Sequence, residues 1–193
     1  MTKKYHLKKI IVLTLFILLT SCGQQTNNNK MGLFDRIFSK QKTNINWEEV
    51  KKTDKVYPPN SISLLMLKTD GGKSGTGWVD KAYNIYAYKE FCPYNFLIMV
   101  DLTDNIAESN PNLDMATIED FFVNELRTIC IAHIVARVVT DVGINIEMYL
   151  ELQEPAIKHL QTILDNPKRF VSFSCEVNED PKWTAVSGLM NFG

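Results

Sequence analysis

The 193-residue chain predicts an α+β domain behind an N-terminal leader. Three observations lead there. Segments with the period-two alternation of half-buried strands follow Tyr94, two segments between them carry apolar residues at helical spacing, and together they run strand, helix, strand, strand, helix, strand. That order suggests a ferredoxin-like sandwich, an antiparallel sheet with both helices on one side, extended here by additional N-terminal strands.

Ser61 to Lys68 (SISLLMLK) and Ala82 to Lys89 (AYNIYAYK) are rich in apolar and aromatic residues and read as the two added strands, with the turn formers of Thr69 to Gly77 between them. Gly72-Lys73-Ser74 in that loop is no phosphate loop, because a Walker motif needs glycine where Leu67 stands and no helix follows. Phe96, Ile98, Val100 and Leu102 alternate as the next strand, and Asp114 can cap a helix carrying Ile118, Phe121, Phe122, Leu126, Ile129 and Cys130 on one face. Ile134 to Thr140 and Asn145 to Glu151 are strands. Pro155 sits in the first turn of a helix bearing Ile157, Leu160 and Leu164, Asn166-Pro167 stops it, and Phe170 to Val177 is the closing strand. Taking Asp141-Val142-Gly143 as a three-residue hairpin loop with Gly143 left-handed sets Arg137 opposite Glu147, Val135 opposite Tyr149 and Ala136 opposite Met148. Ile134, Ala136, Val138, Ile146, Met148 and Leu150 then face the helices, and a one-residue slip would mix them with charges.

The N-terminus has a different composition. Lys3, Lys4, Lys8 and Lys9 precede an apolar run from Ile10 to Leu19, and no acidic residue comes before Asp35. The run is about half the roughly 20 residues a spanning helix needs, so residues 1–21 read as a signal peptide rather than a membrane anchor. Leu19-Thr20-Ser21-Cys22 resembles the bacterial lipobox, which implies lipidation of Cys22 and a membrane partner held through that lipid. Residues 22–40 then form anchor, Gln/Asn-rich tether and a short amphipathic segment with Leu33, Phe34, Ile37 and Phe38 at helical spacing; 41–193 is the single α+β domain. Gly23 lacks the acidic character of an inner-membrane retention signal, so the expected location is the cell envelope, at the outer membrane facing the periplasm.

Cleavage removes four lysines and no carboxylate, leaving 17 Lys and Arg against 22 Asp and Glu. A chain of that charge is not built to neutralise phosphates, which excludes nucleic acid as a partner. Cys92, Cys130 and Cys175 form no C-x-x-C pair and lie at no ligand spacing from His133 or His159, so no metal and no cofactor is expected; Cys130 and Cys175 read as buried free thiols.

The run Ala136-Arg137-Val138-Val139-Thr140-Asp141-Val142-Gly143 and the later Glu179-Asp180-Pro181-Lys182-Trp183 resemble the bacterial family catalogued as domain of unknown function 695, over about residues 94–190. The resemblance implies a small α+β domain with no established reaction and no cofactor. The segment Trp183 to Gly188 departs from it by lacking an aromatic-proline finish.

The sheet face away from the helices is the candidate binding face, with Arg137, Glu147, Tyr149, Glu151, Ser172, Ser174 and Glu176 on it. Arg137 opposite Glu147 reads as an exposed cross-strand pair. His133 is placed to complement the dipole at a helix end, Trp183 to plug the core, and Tyr83, Tyr86 and Tyr88 to pack as strand aromatics or to form a patch for a glycan or peptide. The expected function is a non-catalytic, lipid-anchored module that binds a protein or small molecule, with an immunity-type inhibitor as its narrower form. The alternative is a hydrolase working through Glu147, Glu176 or His133.

Overall fold

The computed structural model describes residues 45–68, 72–110 and 113–191. The signal peptide, Cys22, the tether and the amphipathic segment around Phe34 lie outside the described residues. The remainder is a mixed helix and sheet structure built on one six-stranded antiparallel sheet. Its strands are β1 (Ile62–Lys68), β2 (Ser74–Asp80), β3 (Tyr94–Asp101), β4 (Ala132–Val139), β5 (Gly143–Leu150) and β6 (Ser172–Glu179), ordered β1-β2-β4-β5-β3-β6. Five α-helices accompany it: α1 (Trp47–Val50), α2 (Asn105–Glu108), α3 (Met115–Arg127), α4 (Glu154–Asp165) and α5 (Ser187–Met190).

α3 begins where an Asp114 carboxylate oxygen accepts from the Thr117 N–H at 2.7 Å, filling an otherwise unpaired donor of the first turn. It ends at Arg127, so Ile129 and Cys130 follow it in a turn rather than extend its face. Ile118, Phe122, Val123 and Leu126 on α3, with Ala156 and Leu160 on α4, bury one side of the sheet through Phe96, Ile98, Val100, Ile144, Ile146, Met148, Leu150 and Phe173. Burial of six fully enclosed aliphatic or aromatic residues from β3 and β5 alone makes this layer the main source of stability.

Two departures from the expected register change what faces where. The second added strand is Ser74–Asp80, and the expected strand 82–89 is instead a pair of 3-10 turns, Lys81–Ile85 and Lys89–Phe91. Asp80 explains the switch: its carboxylate accepts from Ser61 N–H at 2.7 Å and Ala82 N–H at 3.0 Å, which caps the first turn and ends the strand. In the β4–β5 hairpin, Thr140 N–H donates to the Gly143 carbonyl at 2.9 Å, tightening the loop to Asp141-Val142. Near the loop, Arg137 therefore pairs with Ile146 and Ala136 with Glu147; beyond a bulge between Ile134 and Ala136, His133 pairs with Tyr149 and Ile134 with Met148. Gly143 is not left-handed, since Gly72 is the only described glycine with positive φ. It is glycine because a Cβ there would lie 2.2 Å from the Val100 carbonyl oxygen of the neighbouring strand. Ile134, Ile146, Met148 and Leu150 face the helices as expected, whereas Ala136 joins the opposite layer.

That opposite layer is a second core. Val135, Ala136 and Tyr149 of the sheet, with Leu65 and Val79 of the β1–β2 extension, are covered by Trp47, Val56, Tyr83, Tyr86, Cys92, Trp183, Val186 and Met190. The N-terminal turns and the C-terminal tail thus close over the face that the sequence leaves open.

Candidate functional site

His133 sits at the centre of the second layer, with no exposed surface. The bulge that follows it lets Val135 and Ala136 both bury on this side and leaves the imidazole enclosed by the rings of Tyr57, Tyr83, Tyr86 and Trp183 at 5.0–5.6 Å between centroids. Its hydrogen bonds fix its tautomer. The Tyr86 hydroxyl donates to the Val56 carbonyl at 2.7 Å, so at 3.3 Å from His133 Nε2 it must accept, and Nε2 carries the proton. Nδ1 then accepts from the Tyr83 hydroxyl at 3.2 Å. Burial, aided by the Arg127 charge, pushes the His133 pKa down to about 3, so the ring is neutral. This corrects its placement as a cation at a helix end. Burial likewise raises the Tyr83 and Tyr86 hydroxyls well above the ordinary phenol range.

Trp183 seals the layer as expected. Its ring stacks on Tyr149 at 4.1 Å and 10°, and its Nε1–H donates to the carbonyls of Lys89 at 3.1 Å and Cys92 at 3.0 Å. To reach that position its backbone adopts φ 58°, uncommon outside glycine. Asp180 holds the turn beneath it, accepting from the Tyr149 hydroxyl at 2.6 Å, the Thr184 hydroxyl at 2.9 Å and the Ala185 N–H at 2.8 Å. Partial burial works against the Asp180 carboxylate, but these donors outweigh it and hold the pKa down at about 2.

The seven residues of the expected binding face do not form one open surface. Arg137 lies on the helix side of the sheet, where its Nη1 donates to Glu119 Oε2 of α3 at 2.8 Å; the Trp78 Nε1–H shares that oxygen at 3.2 Å. Its pairing with Glu147 is thereby corrected. Tyr149 is fully buried under Trp183. Glu151 is tied to the Trp47 indole and to the Lys51 ammonium, both at 3.0 Å, so it anchors α1. Glu147 and Glu176 stay together on the open part of the face, both opposite Leu97 of the intervening β3, with Ser174 and Ser172 opposite Met99 and Asp101 along the same side. Burial raises the Glu147 pKa, although Asn95 donates to its carboxylate at 2.9 Å.

Two open grooves mark the described surface. One, of about 750 Å³, lies at the Lys73 and Asp141 end of the sheet, with Thr103, Thr140, Asn145 and Ser174 beside Met99 and Val142 along it. The other, of about 970 Å³, is walled by Tyr57, Pro58, Pro59, Tyr86 and Tyr88. Ile85 stands on its rim with 90 % of its surface exposed. Neither groove is lined by Glu147, Glu176 or His133. Compared with family models, curated proteins and solved structures, the chain matches none.

The chemistry these groups can perform follows from their surroundings. A neutral, enclosed imidazole whose two nitrogens are both engaged cannot take a proton from a substrate. The thiols of Cys92, Cys130 and Cys175 are free, and burial raises all three, that of Cys175 to about 12, so they are poor nucleophiles. Among the described residues, no three His, Cys, Asp or Glu side chains converge to hold a metal ion, and no helix is long and apolar enough to cross a membrane. The aromatic groove can instead hold a ligand by ring contact. The Tyr83-Tyr86-Tyr88 spacing signalled part of it; Tyr57-Pro58-Pro59, read as nothing in the sequence, supplies the other wall.

Proposed function

We propose that the chain is a lipid-anchored, non-catalytic binding module of the bacterial cell envelope that takes an extended segment of a partner protein in the Tyr57–Tyr88 groove. The observation that carries this reading is the groove's composition: three tyrosines and two prolines beside a nearly bare Ile85. Large amphipathic rings give contact area at small entropic cost, and Ile85 extends that contact area with an apolar side chain. The walls are preorganised, because Tyr86 is held by Val56 and His133, and Tyr57 lies under the Arg127 guanidinium at 4.6 Å. An immunity-type inhibitor is one module of this class.

Anchorage through Cys22, a location at the outer membrane and kinship with the family of unknown function 695 belong to the same proposal. They are supported by Leu19 to Cys22, by Gly23 and by the two motifs at Ala136–Gly143 and Glu179–Trp183. A ferredoxin-like origin for residues 94–179 is supported by the helix between β3 and β4, the helix between β5 and β6, and the spatial order β4-β5-β3-β6. The hydrolase alternative would rest on Glu147, whose raised pKa suits an acid; the groove at the Lys73 and Asp141 end reaches Asn145 and Ser174, the same-face neighbours of Glu147 and Glu176, but neither carboxylate lines it.

A photoreactive benzoylphenylalanine in place of Ile85, in the full chain in its own membranes, tests the binding reading. One discrete protein adduct is expected, absent when the probe replaces the exposed Val142 and lost when Tyr88→Ala accompanies it. No adduct at 85, or the same adducts at 85 and 142, overturns the reading. A Cys22→Ser chain that still sediments with membranes as a processed protein overturns the anchor.

A further inference from the structure

The two edges of the sheet are built differently. β6 presents Glu176 and Glu179 along one edge, so a second copy laid against it would bring carboxylates together. β1, at the other edge, runs Ile62-Ser63-Leu64-Leu65-Met66-Leu67 before its first charge, Lys68, and pairs with β2 over seven consecutive residues without a bulge or proline. Among the described residues, the usual devices against strand addition are confined to Lys68 at the last position of the strand. Both core helices serve the strands beyond β2, so the helix side of β1 lies bare: Leu64 is 85 % and Met66 83 % exposed.

The hydrogen-bonding phase of β1 selects a partner. Lys81 N–H donates to the Ser61 carbonyl at 2.8 Å, in the same register that pairs Ile62 with Asp80. The odd-numbered residues of this strand therefore bond inward to β2, and the backbone groups of Ile62, Leu64, Met66 and Lys68 point to the outer edge. An antiparallel copy of β1 related by a two-fold axis at Leu65 matches outward groups with outward groups along the whole strand: Leu64 with Met66 of the copy, Met66 with its Leu64, Ile62 with its Lys68. Neighbours directly across such a pair share a side of the sheet, so the two bare apolar side chains of each copy cover those of the other. A two-fold centred on Leu64 leaves Lys68 beyond the end of the copy's strand, and any odd offset sets inward groups against outward ones.

We infer that two copies of this chain associate through β1, continuing the sheet across a two-fold axis at Leu65 with Leu64 and Met66 at its centre. The surface is self-complementary, as an isologous contact requires.

Sedimentation equilibrium of the full chain in density-matched non-ionic detergent, over a range of concentrations, reads the mass directly. Native protein is expected at twice the chain mass, and L64K/M66K at the single mass with the melting temperature that the native chain shows when diluted to single copies, because both side chains are in water in the lone copy. Hydrogen exchange on native protein reads the same edge without substitution: the Leu64 and Met66 amides should exchange at least tenfold more slowly when the chain is concentrated into the dimer. A native chain that stays at single mass overturns the inference, as does a dimer that survives L64K/M66K. Protection at β1 that does not vary with concentration also overturns it, and assigns the edge to another occupant, a segment of the same chain or a foreign strand.

Discussion

His133 makes acid stability a direct measure of the second layer. Its ring is neutral in the folded protein with a pKa of about 3, against an ordinary value of 6.5 once unfolded. Below pH 6.5 the unfolded chain takes up a proton that the folded chain refuses, so this group's contribution falls as pH falls and is lost by about pH 3. Each pH unit in that window corresponds to about 1.4 kcal/mol, which gives a loss of about 2 kcal/mol between pH 7.5 and pH 5. With a urea m-value of roughly 2 kcal/mol/M, the unfolding midpoint should drop by about 1 M. Glu119 and Glu147, whose carboxyls are raised by burial, act with the opposite sign near their own titration, so the decisive quantity is a difference between two chains. His133→Phe keeps a ring in the cage but leaves the Tyr83 hydroxyl without its acceptor, at a cost of about 1–3 kcal/mol at pH 7.5. Its deficit against the native chain should shrink by about 2 kcal/mol on going to pH 5. Parallel midpoint curves for the two chains from pH 7.5 to 4 would refute the account of a neutral, enclosed imidazole.

Gly143→Ala should cost at least about 2 kcal/mol, read as a lowered melting temperature, because its Cβ would meet the Val100 carbonyl oxygen at 2.2 Å; Gly188→Ala, with open space around it, should cost nothing. Trp183→Ala should destabilise by about 3–5 kcal/mol in urea titration and speed limited proteolysis after Lys182, whereas Trp183→Phe, which keeps the stack on Tyr149 and loses the two carbonyl acceptors, should cost less. With a depressed pKa, Asp180 contributes stability that is present above about pH 4 and lost as pH falls toward 2; Asp180→Asn should be less stable at pH 7 and lack that acid-side loss in thermal scans. Arg137→Ala should leave Glu119 half-buried without its partner and lower stability by about 2 kcal/mol, and Glu119→Gln added to it should restore part of the loss in a double-mutant cycle.

The helix side of the sheet was legible because its signals are local. Period-two alternation in β3 and β5, a capping Asp114 and helical spacing in α3 and α4 each report burial on one side, and all point to the same layer. The second layer was not, because β4 is apolar on both sides. Val135 and Ala136 are both fully buried, so the bulge between them leaves no break in the pattern, and every residue on its loop side, Arg137 included, changes face. Gly143 was noticed for the wrong reason: its requirement comes from a carbonyl on a strand more than forty residues away, which turn chemistry cannot report. The tyrosines at 83, 86 and 88 lie in a segment whose aromatic content reads as a strand, which hid a 3-10 turn that the Asp80 cap explains.

The two surfaces assigned here lie on opposite sides of the sheet, and that separation has a consequence. Leu64 and Met66 project on the side where Trp78 meets α3, whereas Tyr86 packs in the layer beneath Trp183 on the other. The groove also reaches Ser61 and Lys81, beside the first residue of β1, so the two surfaces adjoin at that end of the strand, and a two-fold at Leu65 would carry two grooves into one assembly. A partner offering two matching segments would then gain effective concentration from the pairing, so its apparent affinity should fall in L64K/M66K although the groove is untouched. A partner with a single segment should bind both chains alike. Weaker binding of a single-segment partner to L64K/M66K would show that edge and groove are coupled at the Ser61 end of β1, where they adjoin, rather than through the pairing of two grooves.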